Sequence, residues 1–366
     1  MTALAHHPTT VFASPVTVTA AHPPEVRGLR RDEVRLLVAS HAGVEHVRFA
    51  DIGRFLDPGD VLVVNSSATV AAEVDGVSTR HGPVVVHLAT PLDDGTWVVE
   101  LRTPPDAARA LLDAEPGDQV VLEPDVAVRL LDAYPRAGSS PTGEGNRLWR
   151  AAVGGDVGHL MATRGRPIAY GYLDARYPLA DYQTVFSVTP GSAEMPSAGR
   201  PFTSELATAL VAAGVRLVPV LLHTGVSSQE GGEAPQPERF AVSAASARIV
   251  NEARAAGGRV IAVGTTATRA IESATGPDSR VSPAAGWTDL VISPDRPVRL
   301  VDGLVTGWHD PEASHLLLVE SVAGSVLTQR AYDAALSHAY RWHEFGDSCL
   351  LLPASRTRPP GLRPAD

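Results

Sequence analysis

The side chains best suited to chemistry in this 366-residue chain stand where regular segments end. Gly264-Thr265-Thr266 separates the apolar run Arg259–Val263 from a helical pattern beginning at Ala267. Such a strand–turn–helix junction puts backbone N–H groups and two hydroxyls at the carboxyl edge of a sheet, where α/β folds bind ligands. Arg269 and Glu272 share one face of that helix. As bare patterns they also read as a tight turn and a surface ion pair. His223 closes the alternating run Arg216–Leu222 and enters a Gly/Ser-rich loop, 225–237. A histidine there can act as acid or base near neutral pH, although a lone histidine is more often structural. Asp181-Tyr182-Gln183-Thr184 is a polar entry to an irregular loop reaching Pro190–Gly199. His309, His315, His338 and His343 raise the question of a metal. Their spacing puts no pair on one helix face and no His-Glu-x-x-His occurs, so no metal is expected.

Other chemistries are excluded by missing residues. All 31 basic residues are arginine. No Schiff-base or P-loop lysine exists, and anions must be held by guanidinium forks, backbone N–H groups or helix N-termini. The formal charge of −10 argues against a non-specific nucleic-acid binder but leaves room for a local basic groove. Cys349 is the only cysteine, so neither a disulfide framework nor a zinc–cysteine site is available. Met1–Val16 lacks the pattern of a signal peptide, no apolar run approaches about 18 residues, and a cytoplasmic location is expected. Gly-x-Ser-x-Gly, Gly-x-x-x-x-Gly-Lys and Gly-x-Gly-x-x-Gly are all absent, which disfavours a serine-hydrolase elbow, a P-loop and a standard dinucleotide fold.

The elements that must position these residues fall into two styles. Val61–Val64 reads as a buried strand after the turn Asp57-Pro58-Gly59-Asp60. Val84–Leu88, Trp97–Leu101, Gln119–Leu122, Val126–Leu131 and Leu148–Val153 are short strands in a rhythm that suggests an antiparallel barrel or sandwich. Thr103–Ala114 reads as a short helix with Pro104 in its first position, and Ala137–Asn146 as a flexible loop. After Gly165, helices at Thr203–Ala213, Val242–Ala256, Ala267–Ser273 and Ala331–Ala339 alternate with strands at Arg216–Leu222, Arg259–Val263, Leu290–Ile292 and Leu350–Leu352. That alternation predicts a layered α/β domain. Pro353–Asp366 reads as a loose tail.

The order of the motifs is more specific than any one of them. Arg31-Asp32…Arg35-Leu-Leu-Val38, Pro58-Gly-Asp-Val-Leu-Val-Val-Asn65 and Tyr182-Gln-Thr-Val185 come first. Pro196-Ser-Ala-Gly199 with Phe202-Thr203, Leu222-His223-x-Gly225 and Val263-Gly-Thr-Thr266 with Arg269 and Glu272-Ser273 follow. Val301-Asp-Gly-Leu304 with His309 and Pro311, then Tyr340-Arg341 with Gly346-Asp347, complete the series. The series resembles the S-adenosylmethionine:tRNA ribosyltransferase-isomerase family of queuosine biosynthesis over residues 27–352. The resemblance implies a β-barrel domain, 59–165, inserted into an α/β main domain formed by 1–58 and 166–352. It implies S-adenosylmethionine as ribosyl donor, with no metal or redox cofactor. The acceptor would be the amine of 7-aminomethyl-7-deazaguanine in tRNA, with loss of adenine and methionine.

On this resemblance His223 is the acid/base candidate, Gly264, Thr265 and Thr266 contact the nucleoside, Arg269 anchors the methionine carboxylate and Glu272 orients Arg269. Asp181, Tyr182, Gln183, His309, Arg341 and Asp347 are further site candidates. The sequence also departs from the family's pattern. Asn65-Ser66-Ser67-Ala68 stands for Asn-Asp-Thr-Arg, Glu73 for an arginine, and Pro201 and Gln236 for histidines. Trp308 replaces a phenylalanine and Glu312 a lysine. Fewer cations and histidines favour a diverged member. Transfer to a small amine and non-catalytic nucleoside binding remain as alternatives to action on tRNA.

Overall fold

The computed structural model describes residues 4–13, 18–137, 144–226, 232–311 and 313–354. Four strands precede the barrel: β1 (Arg35–Ser40), β2 (Gly43–Arg48), β3 (Val61–Asn65) and the short β4 (Ser67–Thr69). The closed barrel consists of β5 (Glu73–Ser78), β6 (Gly82–Pro91), β7 (Trp97–Arg102), β8 (Gln119–Glu123), β9 (Val126–Ala133) and β10 (Leu148–Val153). Then come α1 (Val157–Thr163), β11 (Thr189–Ser192), α2 (Ser204–Ala212), β12 (Arg216–Leu222), β13 (Glu238–Val242) and α3 (Ala244–Ala255). The chain closes with β14 (Val260–Val263), α4 (Gly264–Ser273), β15 (Ala284–Thr288), β16 (Gly303–Thr306), α5 (Ser314–Ala323), α6 (Ser325–Ser337) and β17 (Ser348–Leu352).

Outside the barrel, nine strands form one mixed sheet in the order β15-β13-β12-β3-β14-β16-β17-β1-β2, and β4 pairs with β11. The neighbours β12, β3, β14 and β16 are parallel. Val61 and Val63 pack with α3, α4, α5 and α6 on one face, while Leu62 and Val64 pack with Phe49, Phe202 and α2 on the other. Burial on both faces explains why Val61–Val64 has no polar alternation. The fold is therefore a layered α/β domain carrying an antiparallel β-barrel.

Several local expectations are corrected. β3 lies in the middle of the large sheet, so the barrel's own strands start at Glu73 rather than near 59. Thr103–Ala114 is not a helix: turns occupy Pro104–Ala107, and Thr103 N–H and Leu111 N–H bond back to Arg109 and Leu101 carbonyls. Pro105 restrains Pro104 to extended geometry, which defeats a helical start there. Leu290–Ile292 is irregular, and the strand of that region is β15. Gly264-Thr265-Thr266 is no separate turn but the first turn of α4. Of the loop expected at Ala137–Asn146, residues 138–143 lie outside the described residues, as does 355–366 of the tail.

The barrel is pinned by buried charge. Glu73, His87 and Glu100 are all 0% exposed. Both His87 ring nitrogens lie 3.1 Å from a carboxylate, Nε2 from Glu73 and Nδ1 from Glu100. Arg166 (2.6 Å) and Arg176 (2.5 Å), beyond the barrel, also donate to Glu73. Arg102 and Arg147 donate to Glu100, and Arg147 reaches on to Glu233 in the segment before β13 at 2.9 Å. Burial alone disfavours every charge here. Hydrogen bonds and opposite charges outweigh it, raising the His87 pKa and lowering those of Glu73 and Glu100 to about 2.

The two shifts have opposite pH signatures. The contribution of His87 is complete below its ordinary 6.5 and is lost as pH rises through the raised value. That of Glu73 and Glu100 is complete above 4.5 and is lost as pH falls toward 2. Urea denaturation across pH should show His87→Gln losing most stability relative to the parent between about pH 4.5 and 6.5, with the deficit shrinking on the alkaline side. A deficit independent of pH would contradict a charged His87.

Candidate functional site

The carboxyl ends of β3, β12, β14 and β16 meet along one edge of the sheet, and Asn65 joins three of the segments there. Its side-chain amide donates to the Leu222 carbonyl at 2.8 Å and to Thr266 Oγ1 at 3.2 Å. Its carbonyl accepts from Leu222 N–H at 3.0 Å and Ser67 N–H at 3.1 Å. Above this edge lies a cavity of about 510 Å³. Its floor is Gly264, Thr265 and Thr266, its walls come from Glu194–Ala198 and Thr306–Asp310, and Arg102 and Ala108 of the barrel side close it. Gly264 has φ +91°, a left-handed conformation suited to glycine, and a Cβ there would meet Ala198 at 3.2 Å. α4 consequently begins directly at the cavity, and its first turn has no side-chain cap.

Carboxylates outnumber cations on the cavity wall. Glu194, Glu238, Asp310 and Glu344 face Arg102 and Arg269. Both arginines are already committed. Arg102 holds Glu100, while Arg269 pairs with Glu238 and donates to the carbonyls of Leu290, Gln236 and Thr288. Tyr170 and Tyr172 donate their hydroxyls to Glu194 and Glu344. Tyr172 stacks on His343 with centroids 4.4 Å apart and planes 16° apart. Gln236, Trp308 and Ser314 in the wall each carry a buried polar atom without a hydrogen-bond partner. His309 stacks on His315 at 5.0 Å and places Nε2 2.9 Å from Thr306 Oγ1. Burial, followed by the neighbouring His315 and His343, holds the His309 pKa well below 6.5. His315 is pushed to about 4 by burial and by Arg269. Both rings are neutral at physiological pH.

The structure thus brings Gly264, Thr265, Thr266, Arg269 and His309 to one cavity and leaves the other sequence candidates outside its wall. His223 is half-buried beside it, with Nδ1 2.7 Å from Ser67 Oγ, which in turn lies 2.6 Å from Ser192 Oγ. Burial and Arg239 lower its pKa. Glu272 does not orient Arg269. It is wholly buried and accepts the backbone N–H groups of Arg299, Leu300 and Val301, fixing the approach to β16. Gln183 pairs its amide with both backbone groups of Thr69. The Tyr182 carbonyl accepts from Thr69, while the Asp181 carbonyl accepts from Arg200. These three therefore hold β4 and the loop beside it. Asp347 clamps Arg35 and the Arg341 N–H. Sequence reasoning passed over Asn65 as a bridging residue and Tyr172, Glu194 and Glu344 as wall residues. Asn65 had a signal, a polar residue at the end of an apolar strand; the other three come from irregular segments with none.

A family model described as queuosine biosynthesis protein matches residues 10–351. The S-adenosylmethionine:tRNA ribosyltransferase-isomerase of Symbiobacterium thermophilum is 34% identical, the match covering 88% of this chain and 94% of that protein. The protein of the same name from a Bradyrhizobium species is 35% identical, with 90% and 94% covered. Among solved structures, the S-adenosylmethionine tRNA ribosyltransferase of Thermotoga maritima is similar with a TM-score of 0.51 and 28% identity, covering 94% of this chain and 99% of that one.

Because Asn65 satisfies buried backbone groups of two segments, Asn65→Ala should lower the free energy of unfolding by about 1–3 kcal/mol. Chemical denaturation measures this; a change below about 0.5 kcal/mol would remove Asn65 as the tie between β3, β12 and α4.

Proposed function

The chain belongs to the queuosine biosynthesis protein family, and we propose that its cavity performs S-adenosylmethionine-dependent ribosyl transfer and isomerisation with tRNA as acceptor. The observation that carries this reading is the surplus of carboxylates over available cations in an aromatic-walled cavity at the sheet's carboxyl edge. A sulfonium is a cation, and such a lining favours it by charge and by cation–π contact. The protonated amine of an acceptor is attracted for the same reason.

The chain's own groups divide the work. Arg269 is occupied by Glu238, so the methionine carboxylate is assigned to the uncapped first turn of α4, where Thr265 and Thr266 present backbone N–H groups. The stacked Tyr172–His343 pair offers a flat face to adenine. A proton on the carbon next to the sulfonium needs an unprotonated base, and His309, whose ring is unprotonated at neutral pH, is assigned that role in preference to His223, which lies off the wall. The role requires the tautomer in which Nε2–H is donated to the Thr306 hydroxyl 2.9 Å away, leaving a lone pair on Nδ1. The substitution of Glu73 for an arginine fits this reading too: Glu73 serves the barrel's buried network, away from the cavity wall.

Incubation with S-adenosylmethionine and unmodified acceptor tRNA should release adenine and methionine together. Turnover only with a free small amine would point to a diverged acceptor, and binding without release to a non-catalytic nucleoside-binding protein. His309→Ala should lower kcat about 10²–10⁴-fold. Since the His309 ring is already neutral, kcat/KM should fall only as pH drops well below 6.5. Undiminished turnover by His309→Ala would overturn the assignment of the base.

A further inference from the structure

A second cavity, of about 390 Å³, opens on the face formed by the start of β1 and the segment before β17, and four arginines line it: Arg27, Arg35, Arg48 and Arg341. In a chain of net charge −10 this is an unusual concentration of one sign. Two of the four are accounted for. Arg35 donates to Asp347 and to the carbonyls of His338 and Ala339. Arg48 donates to the Glu33 carbonyl. The other two are not. Arg27 keeps Nε and Nη2 buried with no hydrogen-bond partner among the described residues. Among the described residues the Arg341 guanidinium has no carboxylate or carbonyl partner; its bonds are made by the backbone, whose N–H donates to the Asp347 carboxylate and whose carbonyl accepts from Asp347 N–H. Among the described residues the one carboxylate in the cavity wall, Asp347, is already taken by Arg35 and the Arg341 N–H. Burial and then the adjacent Arg341 charge push the Arg27 pKa down, and the carboxylates of Asp347 and Glu25 offset only part of the effect.

The location of this cavity adds direction. A narrow cleft lies between it and the acid-lined cavity. Ser197, His343 and Glu344 line both the cleft and the acid-lined cavity, and Val34 and Asp347 line both the cleft and the arginine cavity. A cation-seeking cavity and an anion-seeking one thus lie on either side of one cleft. That pattern suits an elongated ligand with an amine-bearing base at one end and phosphate at the other.

We propose that Arg27 and Arg341 form a subsite for a backbone phosphate of the RNA whose modified base enters the acid-lined cavity. Paired guanidinium forks match the oxygens of a phosphodiester, and an incoming phosphate supplies the charge the two arginines lack. The assignment rests on the reading of tRNA as acceptor. Inorganic phosphate has the same chemistry, so the test carries both ligands.

Binding of unmodified tRNA should be measured against salt for the parent, Arg27→Gln and Arg341→Gln. Thermal unfolding of each should be followed in chloride and in inorganic phosphate. Each variant should bind tRNA roughly fivefold more weakly, with a log–log salt slope smaller by about one. In chloride each should melt no lower than the parent, because a repulsion has been removed, and the rise in Tm that phosphate gives the parent should vanish. Lost phosphate stabilisation with unchanged tRNA binding would make this a free-phosphate site and overturn the RNA assignment. Variants that keep both responses, or that melt lower in chloride, would overturn the subsite altogether. If the parent binds no tRNA yet cleaves S-adenosylmethionine with a small amine, the tRNA reading fails, and with it the RNA assignment. The phosphate arm then still decides whether the arginine cavity holds an anion.

Discussion

Three ionisable side chains without solvent, Glu73, His87 and Glu100, set the terms for the rest of the molecule. None could remain charged there alone. His87 is stabilised by the two carboxylates that flank it, and these by cations from separate parts of the chain: Arg102 and Arg147 from the barrel, Arg166 and Arg176 from the segment that leaves it. Arg147 then reaches Glu233 before β13. The barrel is fastened to the α/β domain by charges that cannot separate without being left unpaired in a low-dielectric interior. Arg102 belongs to this network and to the cavity wall at once, and its guanidinium carbon lies 5.5 Å from the Tyr170 ring centroid. The position of the barrel and the shape of the cavity are therefore one problem with one solution.

The large sheet contributes the other half. Four parallel strands end on the same edge, and the side chains gathered there are short and polar: Asn65, Thr266 and Thr306. Asn65 fastens β3, β12 and the start of α4, so the floor of the cavity inherits the rigidity of strands buried on both faces. Glu272 gives the same service to the approach to β16 from the far side of α4. The residues that touch a ligand can then be few, since their positions are fixed from beneath.

Much of this was legible from residue types alone. The strand Val61–Val64, the barrel strands from Val84 onward, and the helix α2 follow directly from apolar runs and turn residues. The junction after Val263 was legible as a strand-to-helix passage at the sheet's carboxyl edge, and the large cavity lies against it. The limits are equally specific. Glu272 and Arg269 share a helix face in the sequence, but α4 is buried nearly all round, so they find different partners instead of each other. Glu73 looked like a lost arginine, and only the tertiary structure reveals His87, Arg166 and Arg176 converging on it. Tyr172, Glu194 and Glu344 sit in irregular segments, where no periodicity announces which way a side chain will face. Thr103–Ala114 was misread because its helical start overlooked what a second proline does to the first.

The place of β17 in the sheet has a consequence for how the protein comes into being. This strand, Ser348–Leu352, is fully buried and lies between β16 and β1, pairing parallel with one of the earliest strands of the chain. Until it emerges from the ribosome, β1 and β2 have no seat on the sheet and the apolar sides of β16 and β1 stay unmatched. The barrel, whose strands are contiguous in sequence, can close during synthesis, whereas the large sheet must wait until β17 has been made.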